Sequence, residues 1–445
     1  MDKRTFLKLT SAAMASPLIA PLTGWVPDES LKNWAGNLTY STKRIRYVKN
    51  VNELQQFVKS QKRFKVLGTR HCFNQIADSK DQFVSVAKLD KVIALDASAL
   101  TVTIGAGMKY GDLAPYLEEK GYALHNLASL PHISVAGAIT TATHGSGVNN
   151  GNLATGVAAL EIVTADGSLL QLSRKKDAEK FNAAVVGLGA IGVITKITLD
   201  IRPTFTVRQY VYQDMPFSSL KENFDTVLSS SYSVSLFTDW QNEKVNEVWI
   251  KAIAADKADF ANMKDFYGGF AAKKNLHPIV EISAENCTEQ MGVPGPWFDR
   301  LPHFKMGFTP SSGVELQSEY FIPREHGYKA FMVVAAMGKE IGPHLLISEI
   351  RTIKADDFWM SPCYKRDCVA IHFTWKQDWP AVSKLLPKIE AALSAFDMRP
   401  HWGKLFAMDA ATLRSRHPQI NKFKEFVAAY DSEGKFRNEF LQRYI

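Results

Sequence analysis

The chain has 445 residues, of which 46% are hydrophobic and 22% charged, with a formal net charge of +8. This composition is too apolar for a disordered chain, and the length exceeds one ordinary core. The basic residues are spread without a long Lys/Arg block, so the charge favours anionic surroundings in general and carries no nucleic-acid signature.

The sequence begins MDKRTFLKLTSAAMASPLIAPLTGWV. Lys3, Arg4 and Lys8 precede a stretch of small and apolar residues that is too short to span a membrane comfortably. That is the layout of an export signal. "KRTFLKL" also resembles a twin-arginine signal, with Lys3 where the first arginine normally sits. Residues 1–30 are therefore expected to be a signal-like segment that engages export machinery. The protein is then periplasmic or otherwise exported, and cytoplasmic if the segment is not used.

From residue 36 strands and helices alternate. "RIRYVKN" at 44–50 alternates like a strand, and Asn52 is expected to cap a helix carrying Leu54, Phe57 and Val58 on one side. The apolar run 64–67 reads as a strand that stops at Gly68, followed at once by Thr69, Arg70, His71 and Cys72. "TVTIGAG" at 101–107 predicts a strand, and "YGDLAPYLEEKGY" a helix with Leu113, Tyr116 and Leu117 on one side. Residues 157–172 predict a hairpin turning at Asp166-Gly167. "GLGAIG" at 187–192 fits the glycine spacing of a dinucleotide loop, but that loop needs a helix after it. The β-branched "VITKITLDI" predicts a strand, which disfavours a nicotinamide site.

Residues 126–153, "NLASLPHISVAGAITTATHGSGVNNGNL", are too apolar and small for a solvent loop. Glycines let backbone crowd a ligand, and hydroxyls offer short donors, so the stretch suits a pyrophosphate-bearing cofactor or a close-packed turn region. After residue 204 the texture changes to α+β with a substantial antiparallel sheet, including a strand at 368–376 and a helix at 380–396. In "LLISEIRTI" Glu349 and Arg351 share a strand face, and in "CVAIHFTWK" His372 and Thr374 do, with Ile371, Phe373 and Trp375 opposite. These pairs form either ordinary exposed ion pairs or the wall of a polar site. "RPHWGK" adds His401, Trp402 and Lys404, with Gly403 allowing close backbone approach. Cys72, Cys287, Cys363 and Cys368 show no CxxC spacing, so neither a zinc site nor a disulfide framework is indicated; they read as free thiols, although Cys363 and Cys368 could meet in an oxidising compartment.

"VLGTRHCFN", "NLASLPHISVAGAITTATHGSG", "GLGAIGVIT", "SEIRT", "AIHFTW", "RPHWGK" and "DSEGKFRNEF" occur in this order. Together they resemble the bacterial alditol oxidases, flavoproteins of the vanillyl-alcohol oxidase/p-cresol methylhydroxylase superfamily that are close to the sugar-lactone oxidases. The resemblance covers essentially everything after residue 33. It departs at the signal-like extension and at Cys72, where serine is common.

The resemblance implies an α+β fold: a two-subdomain FAD-binding domain of the p-cresol methylhydroxylase type at 31–203, a substrate-binding cap domain with a large antiparallel sheet at 204–400, and a segment at 401–445 returning to the FAD domain. It implies FAD bonded covalently through His71. Cofactor contacts are expected from Val66, Leu67, Gly68, Thr69, Arg70, His71, Cys72, Ser129, Ser134, Gly137, Thr141, Ala142, Thr143, His144, Ile194 and His372. Ser129, Glu349, Arg351, His372 and Thr374 are expected to bind a polyol, with Lys404, Arg351, Glu349 and His372 in the chemistry. The implied reaction takes the terminal hydroxyl of a polyol such as xylitol or sorbitol to the aldose, with hydride passing to flavin N5 and dioxygen reduced to hydrogen peroxide. A sugar-lactone oxidase or dehydrogenase on the same scaffold is the nearest alternative, and an exported carbohydrate-binding protein without catalysis a more remote one. A monomer is expected.

Overall fold

A computed structural model describes residues 30–256, 260–307 and 314–445. All but the last residue of the signal-like segment lies outside them.

The first strands are short and parallel. Phe83–Ser85 lies between Ile45–Tyr47 and Lys65–Val66. The helix Val51–Ser60 connects two of them, with Leu54 and Val58 buried and Phe57 against the Phe64 ring at 5.0 Å. Its cap is Asn50, not the expected Asn52. Asn50 is extended, with φ −156° and ψ 170°, so its side chain reaches the Glu53 amide, whereas Asn52 already lies in the first turn. The Lys65–Val66 strand runs into Gly68, where a Cβ would come within 3.3 Å of Ser134 Oγ. Arg70 follows in the left-handed region at φ 61°, which reverses the chain and aims the next residue, His71.

A five-stranded antiparallel sheet follows, in the order Val92–Asp96, Thr101–Gly105, Val193–Asp200, Val157–Val163, Leu169–Ser173. The predicted hairpin turns at Asp166-Gly167, with Gly167 at φ 80° and Asp166 Oδ1 accepting the Ser168 amide at 3.0 Å. "GLGAIG" leads into a strand, as its β-branched sequel predicted. A Cβ on Gly192 would stand 2.4 Å from the Val163 carbonyl oxygen, so this glycine serves strand-to-strand approach.

The largest element is a ten-stranded sheet. At its centre Ser233–Thr238, Leu345–Ile353, Cys368–Lys376 and Glu315–Pro323 pair antiparallel. Alternation gives this region two unlike faces. Val369, Ile371, Phe373 and Trp375 point into the main core, where the last two rings stack at 4.9 Å. The helices Leu220–Leu228, Gly327–Ala335 and Trp379–Leu393 pack in that layer. The other face carries His372 and Thr374, with Glu349 and Glu319 directly opposite His372 on the two neighbouring strands. Glu319, His372 and Glu349 thus form a polar row across the centre of this face.

The last residues clamp the first strands. The Phe64 amide donates to the Lys435 carbonyl at 3.1 Å, and Lys65 Nζ to the Phe436 carbonyl at 3.1 Å. Asn438 Nδ2 donates to the carbonyls of Gln75, Ile76 and Asp78 at 2.9, 3.1 and 2.9 Å. Further up, the Phe73 amide meets the Gly403 carbonyl at 2.8 Å, and Asn74 Nδ2 those of Trp402 and Lys404 at 2.8 and 2.6 Å. The stretch just after His71 is therefore bound to the stretch that carries Lys404.

Candidate active site

One cavity of about 690 Å³ joins the two halves of the chain. Its wall includes Val66 to Cys72, Ser129, Ser134, Gly137, Thr141, Thr143, His144 and Ile194 from the first half, and Glu349, Arg351, His372, Thr374 and Lys404 from the second. Of the expected site residues only Ala142 is not on the wall. It is buried behind it with φ 57°. The volume lies in the range of small-molecule and cofactor sites.

At one end of the cavity is His71. Its ring meets Trp34 edge-on at 4.4 Å and His132 at 4.9 Å, so its orientation is held by packing. Nδ1 is buried without a hydrogen-bond partner. Burial, then His132 and Lys404, lower its pKa to about 3. The ring is therefore neutral at physiological pH and keeps a nitrogen uncommitted to the protein. Beyond it, the small residues of the 126–153 stretch bring backbone close to the cavity. Ser134 Oγ accepts the Gly137 amide, and a Cβ on Gly137 would collide with it at 2.9 Å.

Around Lys404, next to His71, is a buried charge cluster. Glu319, fully buried, accepts from Arg351 Nη2 at 2.8 Å and from Lys404 Nζ at 2.7 Å. His144 Nε2 lies 3.2 Å from the same carboxylate. Lys404 Nζ also sits 2.6 Å from His372 Nδ1, and His372 Nε2 is 3.0 Å from Thr374 Oγ1. Glu349 accepts from His303 Nε2 at 2.7 Å and lies 3.5 Å from Arg351 Nε, a buried atom with no hydrogen-bond partner of its own.

Burial alone would push both carboxyls up. Lys404, His144 and Arg351 outweigh it at Glu319, and Arg351 and His303 at Glu349, so both stay well below the ordinary carboxylate range. Burial and then Lys404 lower His372 to about 4. A neutral His372 beside an ammonium must accept at Nδ1, so its proton is on Nε2 and points to Thr374. Burial also lowers Lys404, against the pull of Glu319. Two carboxylates thus balance one guanidinium and one ammonium among largely buried groups.

The structure places Glu349, Arg351, His372, Thr374 and Lys404 on one cavity wall, as expected for a shared site, and adds Glu319 and His303, which the sequence did not single out. A signal for Glu319 exists in "VELQSEYFIP" at 314–323: Glu315, Gln317 and Glu319 alternate with Leu316, Ser318 and Tyr320. For His303, in an aromatic-rich loop, no spacing pattern points to a site.

Residues 42–173 match the FAD binding domain family and residues 312–444 the D-arabinono-1,4-lactone oxidase family. An alditol oxidase from Streptomyces sp. (strain IKD472 / FERM P-14339) is 44% identical over 93% of this chain and 98% of its own length. This chain belongs to the alditol oxidase family. More distant relatives are an L-gulonolactone oxidase of Mus musculus, 27% identical over 93% of this chain and 97% of that protein, and an L-gulono-1,4-lactone dehydrogenase of Mycobacterium tuberculosis, 27% identical over 93% and 98%. A solvent-stable cholesterol oxidase superposes with a TM-score of 0.75 at 16% identity, covering 93% of this chain and 97% of that one. A cholesterol oxidase from B. sterolicum gives 0.75 at 15%, covering 97% and 100%. They share the fold: an FAD-binding α+β architecture with a large antiparallel sheet.

This alditol oxidase family member is an FAD-dependent oxidoreductase acting on CH–OH donors. The site fits the cofactor on its own terms, because the uncommitted His71 Nδ1 and the collision-limited glycine backbone border one cavity large enough for a cofactor and a small substrate.

Proposed function

We propose that this enzyme oxidises the terminal primary hydroxyl of an alditol, xylitol or sorbitol in particular, to the aldose, with dioxygen reduced to hydrogen peroxide. The observation that carries the reading is the buried row of Glu319, His372 and Glu349, with Arg351 and Lys404, on the wall of the same cavity as His71. A neutral polyol offers several hydroxyls at fixed spacing and no charge. Buried carboxylates and guanidinium groups pair such hydroxyls and strongly disfavour an analogue that leaves them unpaired.

In this proposal Glu349, Ser129 and the unpartnered Arg351 Nε hold the hydroxyls near the reacting carbon. Lys404 Nζ uses two protons on Glu319 and His372, and its third faces the cavity. That N–H donates a hydrogen bond to the reacting oxygen, and with Arg351 it stabilises the negative charge left there as the hydroxyl's proton passes to water in the cavity. Burial of Glu319, Glu349, Arg351 and His372 keeps these interactions weakly screened. FAD, when bound, supplies the hydride acceptor and the route of electrons to dioxygen. Val66 to Cys72, Ser134, Gly137, Thr141, Thr143, His144 and Ile194 would hold it, with the His71 ring nitrogen as the covalent anchor. Residues 31–203 then act as the FAD-binding domain, 204–400 as the cap, and 401–445 as a strap back to the first; residues 1–30 direct export of the monomer.

The match of residues 312–444 to the D-arabinono-1,4-lactone oxidase family keeps a sugar lactone as the second substrate class. The test is a peroxide assay with xylitol, sorbitol, glycerol and a sugar lactone, next to flavin fluorescence on a denaturing gel. Turnover of the alditols and a fluorescent band that His71→Ala abolishes are expected. Turnover of the lactone alone would sink the alditol reading, and a fluorescent band surviving in His71→Ala would sink the anchor.

A further inference from the structure

The protein spends a fully buried carboxylate, Glu319, on two cations at once, at 2.7 Å from Lys404 and 2.8 Å from Arg351. It comes from the strand Glu315–Pro323, opposite His372, while Lys404 comes from the loop after Arg399–Pro400. The His401 amide donates to the Glu319 carbonyl at 3.0 Å, so the loop is pinned at the same residue by backbone as well as by charge. Lys404 faces titratable groups from every side: Glu319, His372, His401, Glu349 and Arg351, with His71 and Glu315 further along the cavity.

Without Glu319, an ammonium at this position would be buried beside Arg351, with Glu349 already engaged by Arg351 and His303 and only the more distant Glu315 besides. Such a lysine sheds its proton. A neutral amine next to His372 would also free that ring to change tautomer, because Nδ1 would no longer meet an obligatory donor.

We propose that Glu319 is a positioning residue that keeps Lys404 protonated and aimed into the cavity, and that through Lys404 it sets the upper pH limit of alditol oxidation and the tautomer of His372. This rests on the alditol-oxidase reading. Glu319 acts on the substrate only through Lys404.

Glu319→Gln keeps the shape and one acceptor while removing the charge. The rate of anaerobic flavin bleaching by xylitol, measured against pH, reports the limb above which Lys404 loses its proton. Loss of one opposite charge at this distance shifts a pKa by roughly 1–3 units. Glu319→Gln is therefore expected to move the basic limb down by that amount, so that the variant loses at least about 10-fold more rate, relative to wild type, above both limbs than below both. Glu319→Asp, which retains the charge, is expected to restore most of the wild-type limb. Lys404→Arg, with a side chain that stays charged, is expected to abolish it. Titration of the Lys404 side chain by lysine-selective 15N NMR gives the same shift without turnover.

A Glu319→Gln profile that is lowered evenly at all pH values, with the Lys404 resonance titrating as in wild type, would overturn the proposal. So would a basic limb that persists in Lys404→Arg, a result available even if Glu319→Gln does not fold. Absence of bleaching by any alditol in the wild type would instead count against the underlying reading, and the NMR titration would still decide the role of Glu319.

Discussion

Lys404→Met removes a charge from the cavity and keeps an unbranched side chain in its place. Glu319 then loses one of its two close cations and the reacting oxygen loses a donor. Turnover is expected to fall by at least two orders of magnitude, in the range seen when one oriented donor is removed from developing negative charge. Flavin attachment should survive, because His71 is held by Trp34 and His132 rather than by Lys404. Steady-state peroxide release and the flavin spectrum of the same preparation check both halves; near-normal turnover would take Lys404 out of the mechanism. At this scale the sequence was informative wherever polar residues interrupted an apolar strand at two-residue spacing, as in Glu349 and Arg351 or His372 and Thr374. Glu319 obeys the same rule on the next strand. It was missed because its neighbours Gln317 and Ser318 are polar on both faces, so the alternation does not stand out. The Asn50 cap was missed for a simpler reason: Asn50 and Asn52 are both good caps, and only the backbone dihedrals at Asn50 select between them.

At the scale of elements, the helix Trp379–Leu393 is fixed to the strand Glu315–Pro323 by one polar contact under the apolar layer. Tyr320 Oη donates to Glu390 Oε1 at 2.9 Å, and the Ala407 amide donates to the same oxygen at 2.6 Å. Burial pushes Glu390 from its ordinary 4.5 up to about 7. The native state thus binds an extra proton between these values, so stability from this group is complete below pH 4.5 and is lost as pH rises through 7. Glu390→Gln keeps an oxygen that accepts from both partners and cannot ionise. Relative to wild type it is expected to be neutral near pH 4.5 and to gain on the order of 2 kcal/mol by pH 8. Urea unfolding at the two pH values measures this, and a pH-independent difference would contradict it. The elements themselves were legible from periodicity: the hairpin at Asp166-Gly167, the strand after "GLGAIG" and the two strands of the polar row all stand where alternation put them. The strand order of the ten-stranded sheet was not legible, since neighbours such as Ser233–Thr238 and Leu345–Ile353 lie far apart in sequence and alternation carries no record of its partner.

For the whole molecule, the decisive contacts are those between its distant ends. Asn438 caps the last helix through the Leu441 amide and donates to three carbonyls just beyond His71. Asn438→Ala removes the cap and leaves those carbonyls without their shared donor, and is expected to cost about 1–2 kcal/mol. Urea denaturation should show the loss, and limited proteolysis should release the last residues first. A variant as stable as wild type would mean that water replaces Asn438 without cost.

The same clamp has a consequence for biosynthesis. Lys65, six residues before His71, takes a hydrogen bond partner 371 positions later in the chain. At ribosomal speeds of roughly 5–20 residues per second, that partner emerges some 20–75 s after Lys65 does. Throughout that interval the edge strand beside the cofactor lacks its final support. The first half of the protein therefore reaches its final form only once the second half has been made.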